Sequence, residues 1–217
     1  AAVPGRIVLD IGTGEDAVLA RLCVEAGAAH VYAVEVLAGA AARATELVRS
    51  LGLTDRITVL HGDIATLDLP QTVDVCTQGI IGNIGGADGV AAIWNAARRH
   101  FVPGCVAVPA RCVTRIAGLE LPDSLRAEPR FGALATDYAR RLVAAVGQPF
   151  DLRLCLRNVG EGDLLTGPVD FEVLDFRGEL ATEHAGSAEL TITRDGRFDG
   201  CLLWTVVSAG AGQVVDY

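Results

Sequence analysis

No segment of the 217-residue sequence stays apolar long enough to cross a bilayer, because charged residues such as Arg21, Glu25 and Glu35 interrupt every hydrophobic stretch. A membrane span is therefore not expected. Surplus positive charge is missing as well. With 18 basic and 27 acidic residues the net charge is −9, and affinity for nucleic acid rests largely on Lys and Arg neutralising phosphates, so no nucleic-acid partner is expected. A cationic or neutral ligand fits this balance better. Close cysteine spacing is also lacking: Cys23, Cys76, Cys105, Cys112, Cys155 and Cys201 each sit alone in apolar segments. Zinc sites need ligands closer together, so buried reduced thiols and a cytoplasmic setting are expected, with no metal. The four histidines form no close pair either. Ala1 to Arg6 lack the basic segment, hydrophobic core and cleavage site of a secretory leader. There is no initiating Met, and Val214-Val215-Asp216-Tyr217 stops in a strand-like pattern without a closing turn. On those grounds the chain is expected to be a piece of a longer one, truncated at its C-terminal end.

What is present is a repeating strand–helix grammar. Ile7-Val8-Leu9-Asp10 is a short apolar run ended by a glycine turn, as in a buried parallel strand. Val18, Leu19, Leu22, Cys23 and Ala26 recur at three- and four-residue steps, predicting a helix over Asp16 to Ala26 that Gly27 ends. The same logic predicts strands at Val31 to Glu35, Ile57 to Leu60, Val73 to Thr77 and Cys105 to Val108. Between them it places helices over Ala40 to Leu51 and Ala87 to His100. Past Pro109 the pattern changes. Cys112 to Ala117, Phe150 to Leu156, Ala188 to Thr193 and Cys201 to Val207 read as antiparallel strands, with a hairpin turn at Arg194-Asp195-Gly196-Arg197 and one helix over Leu134 to Val146. The expected architecture is α/β, a Rossmann-like doubly wound sheet over residues 1–109 followed by a β-rich, barrel-like domain over 110–217.

Gly12-Thr13-Gly14-Glu15-Asp16-Ala17 satisfies the loose dinucleotide fingerprint, which admits a nicotinamide cofactor. Charge separates the alternatives. Asp10, Glu15 and Asp16 crowd carboxylates where a pyrophosphate would approach, whereas S-adenosylmethionine carries a sulfonium and an ammonium and no phosphate. Asp10 is the discriminating residue on this view. Glu35, ending the second strand about twenty residues past the turn, can accept both ribose hydroxyls, with Val36 beside it. Asp63, after the third strand, can accept from the adenine amino group while Ile64 packs on the ring.

Val8-Leu9-Asp10-Ile11-Gly12-Thr13-Gly14, Val34-Glu35 and Gly62-Asp63, in that order, resemble the class I methyltransferases. Phe101-Val102-Pro103-Gly104 and Val106-Ala107-Val108-Pro109-Ala110-Arg111, with β-rich sequence after them, narrow the resemblance to protein arginine methyltransferases. The resemblance implies S-adenosylmethionine as cofactor, and it places the helix over Leu134 to Val146 where the family carries a dimerisation arm, implying a homodimer. It also implies an acceptor loop after the fourth strand in which two glutamates grip a guanidinium. Here that loop reads Thr77-Gln78-Gly79-Ile80-Ile81-Gly82-Asn83-Ile84-Gly85-Gly86-Ala87-Asp88. Gln78 stands at the first glutamate position, and Asp88 is the nearest candidate for the second if one residue is inserted, or else a cap for the next helix. With the clamp so weakened, a small-molecule or carrier-bound acceptor is expected ahead of a peptide arginine. An inactive interaction module and a nicotinamide oxidoreductase rank behind.

Overall fold

The computed structural model describes residues 3–127, 132–147, 153, 155–210 and 213–216. Its first half alternates strand and helix: β1 (Ile7–Ile11), α1 (Val18–Glu25), β2 (His30–Glu35), α2 (Ala38–Ser50), β3 (Ile57–His61), β4 (Val73–Gln78), α3 (Val90–Ala97) and β5 (Phe101–Val108). The five strands form one parallel sheet in the order β3-β2-β1-β4-β5. Successive side chains leave a strand on opposite faces, so each strand feeds two cores. Leu9, Ile11, Tyr32, Val34, Cys76 and Trp94 pack on one face, and Val8, Ala20, Val31, Ala33, Ala44 and Val75 on the other. The strand order reverses at β1, between β2 and β4. Ligands of open α/β sheets bind outside the carboxyl ends of the strands at such a point.

The helix expected over Ala87 to His100 is shorter than its pattern suggested. It starts at Val90, after Gly89 in a left-handed conformation (φ 74°), and Arg98–His100 tighten into a 3-10 turn.

The second half supplies β6 (Arg111–Leu119), α4 (Asp123–Ala127), α5 (Ala133–Val146), β7 (Val169–Asp175), β8 (Gly200–Gly210) and β9 (Gln213–Asp216). A second sheet has the order β7-β6-β8-β9, with β8 and β9 antiparallel. This is the doubly wound sheet and trailing β-rich part that the strand grammar predicted. The strand expected at Phe150 to Leu156 falls largely outside the described residues. That expected at Ala188 to Thr193 is corrected: only Ile192 bridges, to Thr166. The side chain of Arg194, the next residue, supplies the reason. Its guanidinium donates to Glu120 Oε2 (2.7 Å), Leu164 O (2.9 Å) and Gly162 O (3.0 Å), so Arg194 to Arg197 act as a cross-link between segments instead of a hairpin tip. No helix among the described residues is long and apolar enough to cross a membrane.

The chain divides into two compact units that are not contiguous in sequence. One comprises residues 1–116, 170–188 and 203–217, and the other 117–169 and 189–202. Within the first, Phe176 and Leu174 belong to the same core as Leu9 and Trp94. Phe176 meets Trp94 edge-on with centroids 5.2 Å apart, while Trp94 Nε1 donates to Gly178 O at 3.0 Å. Asn95 brackets Leu180, donating to its carbonyl (2.7 Å) and accepting from its N–H (2.9 Å). Cutting the chain where the strand grammar changes, at 109/110, remains our proposal for the end of the cofactor-binding part. Phe176→Ala should cost about 3–5 kcal/mol, the usual penalty for emptying a buried aromatic site, read from urea unfolding. A loss below about 1 kcal/mol would mean that α3 does not depend on the returning segment.

Candidate active site

At the carboxyl end of β1 the chain turns sharply. Gly12 N and Thr13 N both donate to Val34 O, at 2.9 and 3.1 Å, which ties the turn to β2. Gly12 has φ 71°, and a Cβ there would stand 2.8 Å from Ile80 Cγ2, so both backbone conformation and space require glycine. Gly14 has φ 68° with open space around it. Ala17, at the last fingerprint position, enters α1 through a left-handed conformation (φ 44°).

Asp10 lies beneath this turn, fully buried. Thr13 Oγ1 donates to its Oδ2 at 2.7 Å and Thr77 Oγ1 to its Oδ1 at 3.0 Å. The second bond comes from strand register, since Asp10 pairs with Thr77 across β1 and β4. Burial pushes the Asp10 carboxyl above the ordinary range, the two hydroxyls partly offset this, and the nearby Glu35 charge adds to it. Glu35 is also buried and spans from β2 to the turn: Oε2 accepts from Gly14 N (2.9 Å) and Oε1 from Leu37 N (2.8 Å). The partners of both carboxylates are hydroxyls and backbone N–H groups, with no cationic side chain among them. Two neighbouring buried acids without a cation form a site suited to a cationic ligand.

Asp63 is exposed and caps its own turn, its Oδ1 accepting from Ala65 N at 2.9 Å. Ile64 is 3% exposed and sits in the core with Leu9, Ile11 and Val34. It therefore offers little surface to a ring. Val36, 61% exposed, is the open apolar ledge beside Glu35.

Next to the turn is a cavity of about 460 Å³ whose walls include Leu19, Thr77, Gln78, Asn83, Val108 and Thr205. Gln78, at the end of β4, is 3% exposed. Its Oε1 accepts from Ile80 N at 3.0 Å, which fixes the orientation of the amide, and its Nε2 has no partner. Gln78 thus brings a neutral amide to the cavity wall, its Nε2 buried and unpaired. Asp88 is exposed and is absent from the cavity wall. Its carboxylate sits against Gly82, 3.0 Å from where a Cβ would be, and α3 starts at Gly89 without a side-chain cap. Gln78 and Asp88 are therefore not brought together in one clamp.

Two residues that the sequence patterns did not single out, Thr114 and Glu172, hydrogen-bond to the loop that follows β4. Gly85 N donates to Thr114 Oγ1 (2.9 Å), and Gly86 N (2.9 Å) and Thr114 Oγ1 (3.0 Å) both donate to Glu172 Oε2. The alternation in Val169-Asp170-Phe171-Glu172-Val173 was the available signal for β7 and for an acid on one of its faces.

A family model described as a methyltransferase domain matches residues 8–104, the stretch containing the turn, Glu35 and Gln78. Those residues are similar to a methyltransferase domain. A probable protein arginine N-methyltransferase 6 from Arabidopsis thaliana is 30% identical over 122 residues, 56% of this chain and 28% of that protein. The chain thus spans little more than a quarter of the length of this relative. Among solved structures, Arabidopsis thaliana protein arginine methyltransferase 10 in an open conformation aligns with TM-score 0.78 and 21% identity, covering 99% of this chain and 69% of that one. A Trypanosoma brucei PRMT1 enzyme–prozyme heterotetrameric complex with AdoHcy aligns with TM-score 0.75 and 18% identity, covering 99% and 68%. These likenesses establish a shared fold across both halves.

Burial makes ionisation of Asp10 costly in the folded chain. An acid whose folded pKa is raised favours folding fully below its unfolded value, here 3.8, and loses that contribution as pH rises through the folded pKa. Asp10→Asn should therefore match or exceed the parent in melting temperature at pH 7, with the advantage vanishing below pH 3.8. The same variant should bind S-adenosylhomocysteine at least about tenfold more weakly in calorimetry. A variant less stable at pH 7 would contradict the burial argument.

Proposed function

We propose that this chain is the catalytic portion of an S-adenosylmethionine-dependent methyltransferase of the protein arginine N-methyltransferase type. One observation carries the proposal: the Glu35-clamped glycine turn, at the point where strand order reverses, opens beside a cavity that ends on the acceptor loop. The donor and acceptor chemistry fits the cofactor. Asp10 supplies a buried carboxyl group beneath Gly12, Thr13 and Gly14, near the place for the amino-acid end. Each Glu35 oxygen already accepts one N–H and has a lone pair left for a ribose hydroxyl. Val36 and Asp63 flank the adenine end, with Ile64 supporting them from the core. When bound, the cofactor supplies the electrophilic methyl group. The protein supplies placement, holding a nucleophile in line with that methyl, so modest acid–base help is sufficient.

Relatives named as arginine methyltransferases support an arginine side chain of a protein as acceptor. A small-molecule or carrier-bound acceptor is the second reading, and the Gln78 amide favours it. A guanidinium offers only donors, and no carboxylate of the described residues lines the cavity to accept them. A homodimer through α5 belongs to the same proposal, supported by Tyr138 and Val143, both well exposed on that helix.

Methyl-labelled S-adenosylmethionine, offered with arginine-bearing peptides and with a small-molecule extract, separates the two acceptors. Label is expected on the peptides, and label confined to the small molecules would replace the first reading with the second. Gln78→Glu should raise arginine-peptide transfer about tenfold or more, while Gln78→Ala should lower transfer and leave S-adenosylhomocysteine affinity nearly unchanged. Absence of S-adenosylhomocysteine binding by the parent protein would remove the methyltransferase proposal altogether.

A further inference from the structure

We propose that Glu172 is a positioning residue that holds the acceptor loop, residues 79–89, in place from β7. The inference rests on the methyltransferase proposal only for the meaning of that loop. Gly79, Gly82, Gly85, Gly86 and Gly89 give the loop more backbone freedom than side-chain-bearing residues would, so an ordered loop needs an external anchor. Glu172 provides it from 86 positions away, accepting from Gly86 N and from Thr114 Oγ1 through a single oxygen, while Thr114 Oγ1 accepts from Gly85 N. Bonds to an ionised acceptor are roughly twice as strong as neutral ones.

The glycines are part of the same device. A Cβ at Gly85 would lie 3.1 Å from Cys112 Sγ and 3.2 Å from both Thr114 Oγ1 and Glu172 Oε2, and one at Gly86 would overlap the Glu172 carboxylate. Absence of side chains at these two positions lets the carboxylate reach the backbone. At the other end of the loop, Gln78 Oε1 takes the Ile80 N–H. The loop is therefore pinned at both ends, and the residues between the pins include Ile81, Gly82 and Asn83, which form one wall of the cavity. Glu172 does not line the cavity. It sets the position of residues that do.

A carboxylate that gripped substrate would be lost in Glu172→Gln, whereas a tether survives, because the amide oxygen still accepts from Gly86 N. In the full chain, Glu172→Ala should speed deuterium exchange across residues 79–89 about tenfold or more, leave exchange in Ile7–Ile11 unchanged, and keep S-adenosylhomocysteine affinity within about twofold. Glu172→Gln should restore the exchange, and Thr114→Val should loosen Gly85 alone. With an arginine peptide as acceptor, Glu172→Ala should lower kcat/KM about tenfold, again restored by Gln. Unchanged loop exchange in Glu172→Ala, equal loosening of Ile7–Ile11, or a Gln variant as loose as the Ala variant would overturn the proposal. Should the Ala variant fail to fold, Thr114→Val with unaltered exchange at Gly85 would overturn it as well. Failure of the parent protein to bind S-adenosylhomocysteine strikes the methyltransferase proposal and leaves the tether standing.

Discussion

A single carboxylate under the first turn organises this molecule. Asp10 is fully buried, and its register against β4 puts Thr77 on one oxygen while Thr13, three residues on, takes the other. The turn and the neighbouring strand are thereby fastened to the same anion. Glu35 fastens the turn from the opposite side through Gly14 N. Burying an acid without a cation is costly, and the cost is borne at the one place where the sheet topology opens a ligand crevice. On sequence grounds Asp10 has a direct electrostatic role toward a ligand. In the folded chain its hydrogen bonds go to Thr13 of the turn and Thr77 of β4, so it shapes the turn directly.

Legibility was uneven for a physical reason. Over residues 1–109 each helix or strand carries its own periodicity, and each connection is short, so β1 to β4, α1 and α2 could be read to within about two residues. By contrast, α3 is shorter than its pattern, and β5 starts at Phe101 and takes in the Pro103-Gly104 pair that reads as a turn. Glu35 was legible because it ends a strand at a known distance from a glycine turn. The second half depends on pairings between distant segments. Leu174 and Phe176 have no local sign of belonging with Leu9, and Glu172 has none of belonging with Gly86. Ala188 to Thr193 shows the converse failure: a strand-like pattern without a neighbouring edge to pair along remains a single bridge.

At the acceptor side, local chemistry and ancestry give different emphases. Relatives in sequence and fold are named as arginine methyltransferases, yet β4 ends on the neutral amide of Gln78 and not on a carboxylate that could pair with a guanidinium. Asp88, the apparent substitute in sequence, is outside the cavity. The negative group that does contact this loop comes from β7 and faces backbone.

The non-contiguous compact units carry an evolutionary consequence. Residues 170–188 and 203–217 return to the first unit after an excursion through the second. A gene fusion or recombination event that kept residues 8–104 and replaced everything after them would retain every recognisable motif. It would also expose the apolar face of α3 that Phe176 covers. Stability of residues 8–104 is therefore coupled to a strand that lies well beyond that stretch.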